Sequence, residues 1–157
     1  MEKPDGLDIA VLVESENWPE SGRLETLCHR AISSVIRRLG RSGCGDVCIL
    51  FTDDDAMKAL NAQFRDKPTP TNVLSFPAHA RDEGRAGDIA LGRETVFREA
   101  AEKAIEVEDH IVHLVIHGFL HLQGYDHQTD MEAEEMESVE RGTLQDLGIA
   151  DPYEDRR

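Results

Sequence analysis

Residues 117–127 read HGFLHLQGYDH, placing three histidines, one aspartate and two glycines within eleven positions. They end a longer apolar run, IVHLVIHGFLHL, whose length and stripe predict a helix from about Asp109 to Gln123. On such a helix His117 and His121, four apart, share a face, close enough for both imidazoles to reach one ion. Gly124 follows three residues later, where a residue tolerant of positive φ lets the helix end and the chain turn back. His127 then returns from the far side of the turn as a third nitrogen donor. A lone H-x-x-x-H arises by chance on surface helices; the glycine turn and third histidine at these offsets do not. Three neutral nitrogens leave one tetrahedral position open, as in catalytic rather than structural zinc sites. Because the ligands are neutral, the ion keeps its full charge and should bring bound water to a pKa of roughly 7. One zinc ion on His117, His121 and His127 is the expected cofactor, zinc being favoured by ligand type. His113 and His110 continue the stripe; each reads more simply as a packed or solvated histidine, with His113 also placed to support the site or line a substrate groove. His29 and His79 carry no such context.

Outward from this stretch the periodicity predicts a β-α-β-α-β-β-α-α-α order. GLDIAVLVE alternates Ile9, Val11 and Val13 as a first strand, and 23–39 repeats apolar residues at helical spacing up to the stop at Gly40. DVCILFT is a second strand, followed by a helix that Thr52 or Asp53 caps. The proline-punctuated loop KPTPTN leads to the strand VLSF, then AGDIALG, then a helix over RETVFREAAEKA. In the last helix Thr129 and Glu132 form a capping box and Gly148 is the stop. Its acidic stretch MEAEEMESVE reads as a solvated face, with Met131 and Met136 on the core side. The expected fold is α+β: one domain over 1–157, a mixed four-stranded sheet covered by helices, and a loose tail at 151–157.

Composition narrows the class. A chain of 157 residues supports one domain with a real core. No apolar run is long enough to span a bilayer and no signal-peptide pattern opens the chain, so no membrane partner and a cytoplasmic location are expected. The three cysteines, Cys28, Cys44 and Cys48, cannot all pair and read as reduced, small apolar residues. A formal net charge of −15 opposes non-specific binding to nucleic acid, and no DNA partner is expected. It is an average, and a local basic site can persist within it.

The 117–127 stretch also matches the zinc-protease pattern H-E-x-x-H-x-x-G-x-x-H at every landmark but one. Gly118 stands where the protease carries the glutamate that takes a proton from bound water, so the usual route to peptide hydrolysis is closed. Shared motif geometry does not imply shared chemistry. HGFLHLQGYDH resembles instead the H-G-x-L-H-L-x-G-Y-D-H signature of the YbeY family, bacterial metal-dependent endoribonucleases of rRNA maturation. LNAQFRDKPTPTNVLSFP is similar to that family's L-N-x-x-F/Y-R-x-K-x-x-T-D-V-L-S-F-P block. GDIALG resembles its G-D-I segment, and EAEEMESVERGTLQDLGIADPY its C-terminal helix and tail. The resemblance spans roughly residues 46 to 153, and Asn72 departs from it where the family usually has Asp.

The resemblance implies a zinc-dependent endoribonuclease specific for single strands. It further implies processing of small-subunit rRNA ends and ribosome quality control, with single-stranded RNA, rRNA precursor and the small ribosomal subunit as partners. It also bears on individual residues. By type alone Arg65 is equally a solvent-facing arginine at a helix end and a phosphate clamp; the match to the family's arginine favours the clamp. Lys67 is a second, weaker candidate for the same groove. Asp126 either orients a ligand histidine or accepts a proton, or is an ordinary turn aspartate. Asp88 and Ser75 read as structural. The alternatives are a non-catalytic assembly factor whose zinc holds the fold together, and a metallopeptidase with a surrogate base.

Overall fold

The computed structural model describes residues 8–40, 45–78 and 84–152. Nine elements follow in the order β1 (Ile9–Val13), α1 (Ser21–Leu39), β2 (Asp46–Thr52), α2 (Asp54–Arg65), β3 (Val73–Pro77), β4 (Arg85–Gly92), α3 (Arg93–Lys103), α4 (Val107–Leu122) and α5 (Asp130–Asp146). The strands lie side by side as β1-β2-β4-β3, parallel except for the antiparallel β3–β4 pair. The expected α+β fold with a mixed four-stranded sheet is the fold observed. Cys44, His79 and the tail beyond Pro152 lie outside the described residues.

Strand alternation divides the sheet into two faces. Ile49, Phe51, Ile89 and Leu91 point into the main core, where they meet α1 and α4. Ala90, Leu50, Leu74 and Phe76 point the other way, against Met57 and Leu60 of α2. Helices do not cover that second face completely: Leu12 of β1 remains 51% exposed. Trp18, in the loop before α1, seals one end of the main core. Its Nε1 donates to the Thr52 carbonyl at 3.0 Å, and its ring meets Phe51 and Phe97 edge-on.

Local signals account for most of the boundaries. Asp53 caps α2, its side chain accepting from the Ala56 amide at 2.9 Å. Thr129 caps α5 through the Glu132 amide, and Gly148, with φ 76°, turns the chain out of it. The helix carrying the histidines starts two residues earlier than the sequence suggests and ends at Leu122. Instead of showing one apolar stripe, it is buried from His110 to Ile116 and again from Gly118 to Leu120. A helix enclosed on this many sides belongs to the core.

Two expectations about α5 are corrected. Met131 is 78% exposed, because the first turn of α5 projects past the core; Met136, farther along, is buried. The acidic stretch is not wholly solvated either, since Glu140 is completely buried. It lies on the same stripe as Met136, Thr143 and Leu144, the stripe that α5 turns inward. The tail is held at its start: Asp151 pairs with Arg141 at 3.4 Å.

Gly118 fixes how closely α4 approaches the sheet. A β-carbon there would lie 3.0 Å from Ile89 Cγ2 and 3.2 Å from Ser75 Oγ. The Ser75 hydroxyl donates to the Gly118 carbonyl at 3.2 Å. A glutamate at this position would be driven into the sheet, so the protease arrangement is excluded by packing as well as by chemistry. Gly118→Ala is expected to destabilise the protein by about 1–3 kcal/mol in urea unfolding, the usual range for an overfilled core contact. Gly118→Glu should lose far more; stability equal to wild type in Gly118→Glu would contradict this packing.

Candidate metal centre

Helix α4 and the turn that follows it bring the histidines together. His117 and His121 lie one turn apart on α4. Gly124, with φ 99°, then reverses the chain so that His127 faces back toward them. One ring nitrogen from each of the three lies within 4.8 Å of the others, so this group could hold a metal ion. His117 Nε2 and His121 Nε2 are 3.2 Å apart. The His127 ring stacks at 22° to the His117 ring, with centroids 6.1 Å apart. Two of the rings are half-buried and His127 is exposed, which leaves the site open on one side.

The donor chemistry suits a metal. Glu140 reaches across from α5 and accepts from His117 Nδ1 at 2.6 Å and from His113 Nε2 at 3.0 Å. Burial alone would push the Glu140 carboxyl up, but the hydrogen bonds from His113 and His117 outweigh it and hold its pKa down at about 2. An ionised carboxylate only accepts, so His117 must carry its proton on Nδ1 and turn the bare Nε2 lone pair toward the other two rings. His121 titrates below the ordinary histidine value, first through burial and then through its nearness to His117 and His127. A neutral ring is the form a metal requires.

An open cleft of about 640 Å³ lies beside the three rings, lined by all of them and by Arg65, Asn72, Ser75 and Asp126. Among the described residues that line it, Arg65 is the one arginine or lysine and Asp126 the one carboxylate. The Arg65 guanidinium donates to the Ser75 carbonyl at 2.7 Å and sits 5.5 Å over the Phe76 ring, which holds it at the rim. Asp126 Oδ1 accepts from the His127 amide at 2.8 Å, tying the aspartate to the turn that presents His127. Ser75 is placed by its bond to Gly118. Asp88 lies on the opposite face of the sheet, paired with Arg85 at 2.8 Å. Lys67 is exposed just past the end of α2 and is not among the residues lining the cleft. His113 lines a smaller recess of about 180 Å³ with Asn72, Lys103 and His117 instead of the main cleft. Cys28 is buried and Cys48 half-buried on separate elements, with burial pushing both thiols up.

The endoribonuclease YbeY family model matches residues 12–148, reaching well before the motifs that begin near residue 46. The chain belongs to the YbeY endoribonuclease family. An endoribonuclease YbeY from Chelativorans sp. (strain BNC1) is 50% identical over 146 residues, covering 90% of both chains. One from Maricaulis maris is 46% identical, covering 92% of this chain and 91% of the relative. A solution structure of a Thermotoga maritima protein superimposes with a TM-score of 0.57 at 28% identity, covering 92% of this chain and 97% of that one.

Within this chain, the asparagine at 72 has a local explanation. Its Nδ2 donates to Glu99 Oε1 at 2.9 Å while its Oδ1 accepts from the Val73 amide. An aspartate would have no proton to offer Glu99 and would add a like charge beside it. His110, one turn before His113, meets the same Glu99 oxygen at 2.9 Å. Its Nδ1 is buried with no hydrogen-bond partner, so a second proton on the ring would find no acceptor. Burial accordingly lowers its pKa below 6.5, more than Glu99 raises it.

The pH dependence follows from these directions. His110 stays neutral in the folded chain while the unfolded chain gains a proton through about 6.5, so stability is lost as pH falls from there toward the lowered folded value. For Glu99, burial pushes upward but the His110 and Asn72 hydrogen bonds prevail and lower it; its contribution, present above 4.5, is lost as pH falls through the folded value. The unfolding midpoint of metal-free protein is expected to drop steadily from pH 7 to 4. In His110→Gln, which keeps a donor for Glu99, the upper part of that drop should shrink. A pH profile identical to wild type would contradict the assignment.

Proposed function

We propose that this protein is a zinc-dependent endoribonuclease acting on single-stranded RNA, with rRNA precursor of the small ribosomal subunit as its substrate. Maturation of small-subunit rRNA ends and quality control of ribosomes in the cytoplasm are the roles that follow from that substrate. The single observation carrying this reading is the pairing, across one cleft, of three convergent histidine nitrogens with a tethered arginine. The relatives' shared description as endoribonucleases supports the substrate class.

When bound, an ion held by His117, His121 and His127 supplies Lewis acidity at the scissile phosphate; zinc is the natural choice for three imidazoles. Arg65 binds the phosphodiester. Its planar fork matches two non-bridging oxygens, and its attachment to Ser75 and Phe76 means little rotamer freedom remains to be lost. It then offsets the charge that builds on those oxygens in the transition state. Asp126, with Oδ1 held by the His127 amide, offers its second oxygen as a proton acceptor at the cleft wall. Lys67, exposed beyond the rim, contributes at most a distant charge to the strand. His113 acts from behind His117, through the recess.

An assembly factor with a purely structural ion fits less well, because His127 is exposed and the cleft beside it is open. A peptidase lacks the glutamate that Gly118 replaces, and packing leaves no room for one.

His127→Ala is expected to release most of the metal while the helices stay folded, as read by metal analysis and circular dichroism. Arg65→Ala should retain metal and fold yet lose RNA cleavage by a few kcal/mol of transition-state stabilisation, typical of one preorganised donor. Arg65→Lys should recover only part, because a point charge cannot reproduce the fork. Cleavage at the wild-type rate by Arg65→Ala would remove the clamp from this account. An RNA with a 2′-deoxy sugar at the cleavage position separates the nucleophiles: cleavage there requires water, and its absence points to the 2′-hydroxyl.

A further inference from the structure

Glu140 is the most deeply buried acid described, yet it stands on the apolar stripe of α5 between Met136 and Leu144. A leucine or methionine there would fill the core without desolvating a charge, and an ionised carboxylate between helices is unfavourable unless its oxygens are met by donors. Both oxygens are met by donors on α4: Oε1 by His117 Nδ1 and Oε2 by His113 Nε2, residues one turn apart. The two carboxylate oxygens therefore span a single helical turn of the partner helix.

We propose that Glu140 is the positioning residue of the metal centre, bridging His113 and His117 so that His117 is locked in the tautomer and orientation that ligates. The role rests on the reading that His117, His121 and His127 hold an ion. His117 is gripped from behind by Glu140, while its Nε2 faces His121 Nε2 at 3.2 Å and its ring lies against His127. A carboxylate behind a ligating imidazole fixes the ring proton and raises the basicity of the other nitrogen. His113 is the second anchor: by occupying Oε2 it keeps the carboxylate from rotating away from His117. The metal site is thereby tied to the docking of α5, an element that supplies no ligand.

Glutamine at this position has the same size but one acceptor oxygen. Its amide nitrogen would present protons to one of two rings that already present theirs. Glu140→Gln is therefore expected to bind zinc on the order of 10–100-fold more weakly than wild type in a competitive chelator titration of folded protein. Glu140→Asp, shorter by one methylene, reaches one ring and should fall between the two. Nitrogen-15 NMR of the wild-type imidazoles supplies a readout that needs no variant and covers the case in which Glu140→Gln fails to fold. His117 should carry its proton on Nδ1 before and after zinc is added.

Wild-type zinc affinity in a folded Glu140→Gln protein, with only its metal-free unfolding midpoint lowered, would make Glu140 a core residue and overturn the proposal. A His117 proton found on Nε2 in metal-free wild type would do the same. Failure of the wild type itself to bind zinc overturns the metal reading, an outcome distinguishable from loss of the Glu140 role alone.

Discussion

A helix enclosed on most sides has to carry four histidines, and the rest of the molecule is arranged to satisfy them. His110, His113, His117 and His121 run along α4 from its buried start to the cleft. Each ring brings polar nitrogens into surroundings where an unmet donor costs about 1–3 kcal/mol. Glu99 of α3 meets His110, and Glu140 of α5 meets His113 and His117. The last ring, at the open end, turns toward His117 and His127. The neighbouring helices are thus positioned by hydrogen bonds as well as by apolar packing. Removing one partner of such a buried pair is strongly unfavourable, by about 3–5 kcal/mol.

The same constraint divides the polar network into two parts. Toward the interior, carboxylates hold protons on ring nitrogens. Toward the cleft, ring nitrogens converge with no carboxylate among them; Asp126 stands nearby but is bonded to main chain. That contrast makes one end of the stripe structural and the other suited to a cation. It also explains how a chain of net charge −15 can accept a polyanion. Arg65 faces the cleft with one carboxylate, while the acidic residues of α5 lie mostly on its outer side. With so few cationic groups at the rim, binding to RNA is expected to weaken only gently with salt.

Much of this was legible in the sequence because it depended on short-range spacing. The i, i+4 histidines, the positive-φ glycine and the third histidine define a turn that local geometry alone determines. Strand alternation and capping residues did the same for the sheet and for α2 and α5. Gly118 was legible as a missing general base but not as a packing contact, since its neighbours Ile89 and Ser75 are far away in sequence. Glu140 was hidden for a different reason. It sits among five other acids in the first eleven residues of α5, and charge runs of that kind normally face solvent. The available signal was its spacing, four residues from both Met136 and Leu144, which places it on the inward stripe. Met131 misled in the opposite sense: an apolar residue in a first turn need not face the core.

The central claim is that the histidine cluster and the Arg65 cleft act as one catalytic unit on RNA. The most direct measurement is the single-turnover cleavage rate of a single-stranded small-subunit rRNA fragment, followed as metal-free protein is titrated with zinc and occupancy is measured in the same samples. The account predicts a rate that rises in proportion to occupancy and levels off at one ion per chain. Cleavage that is equally fast without metal, or full occupancy with no cleavage, would contradict it.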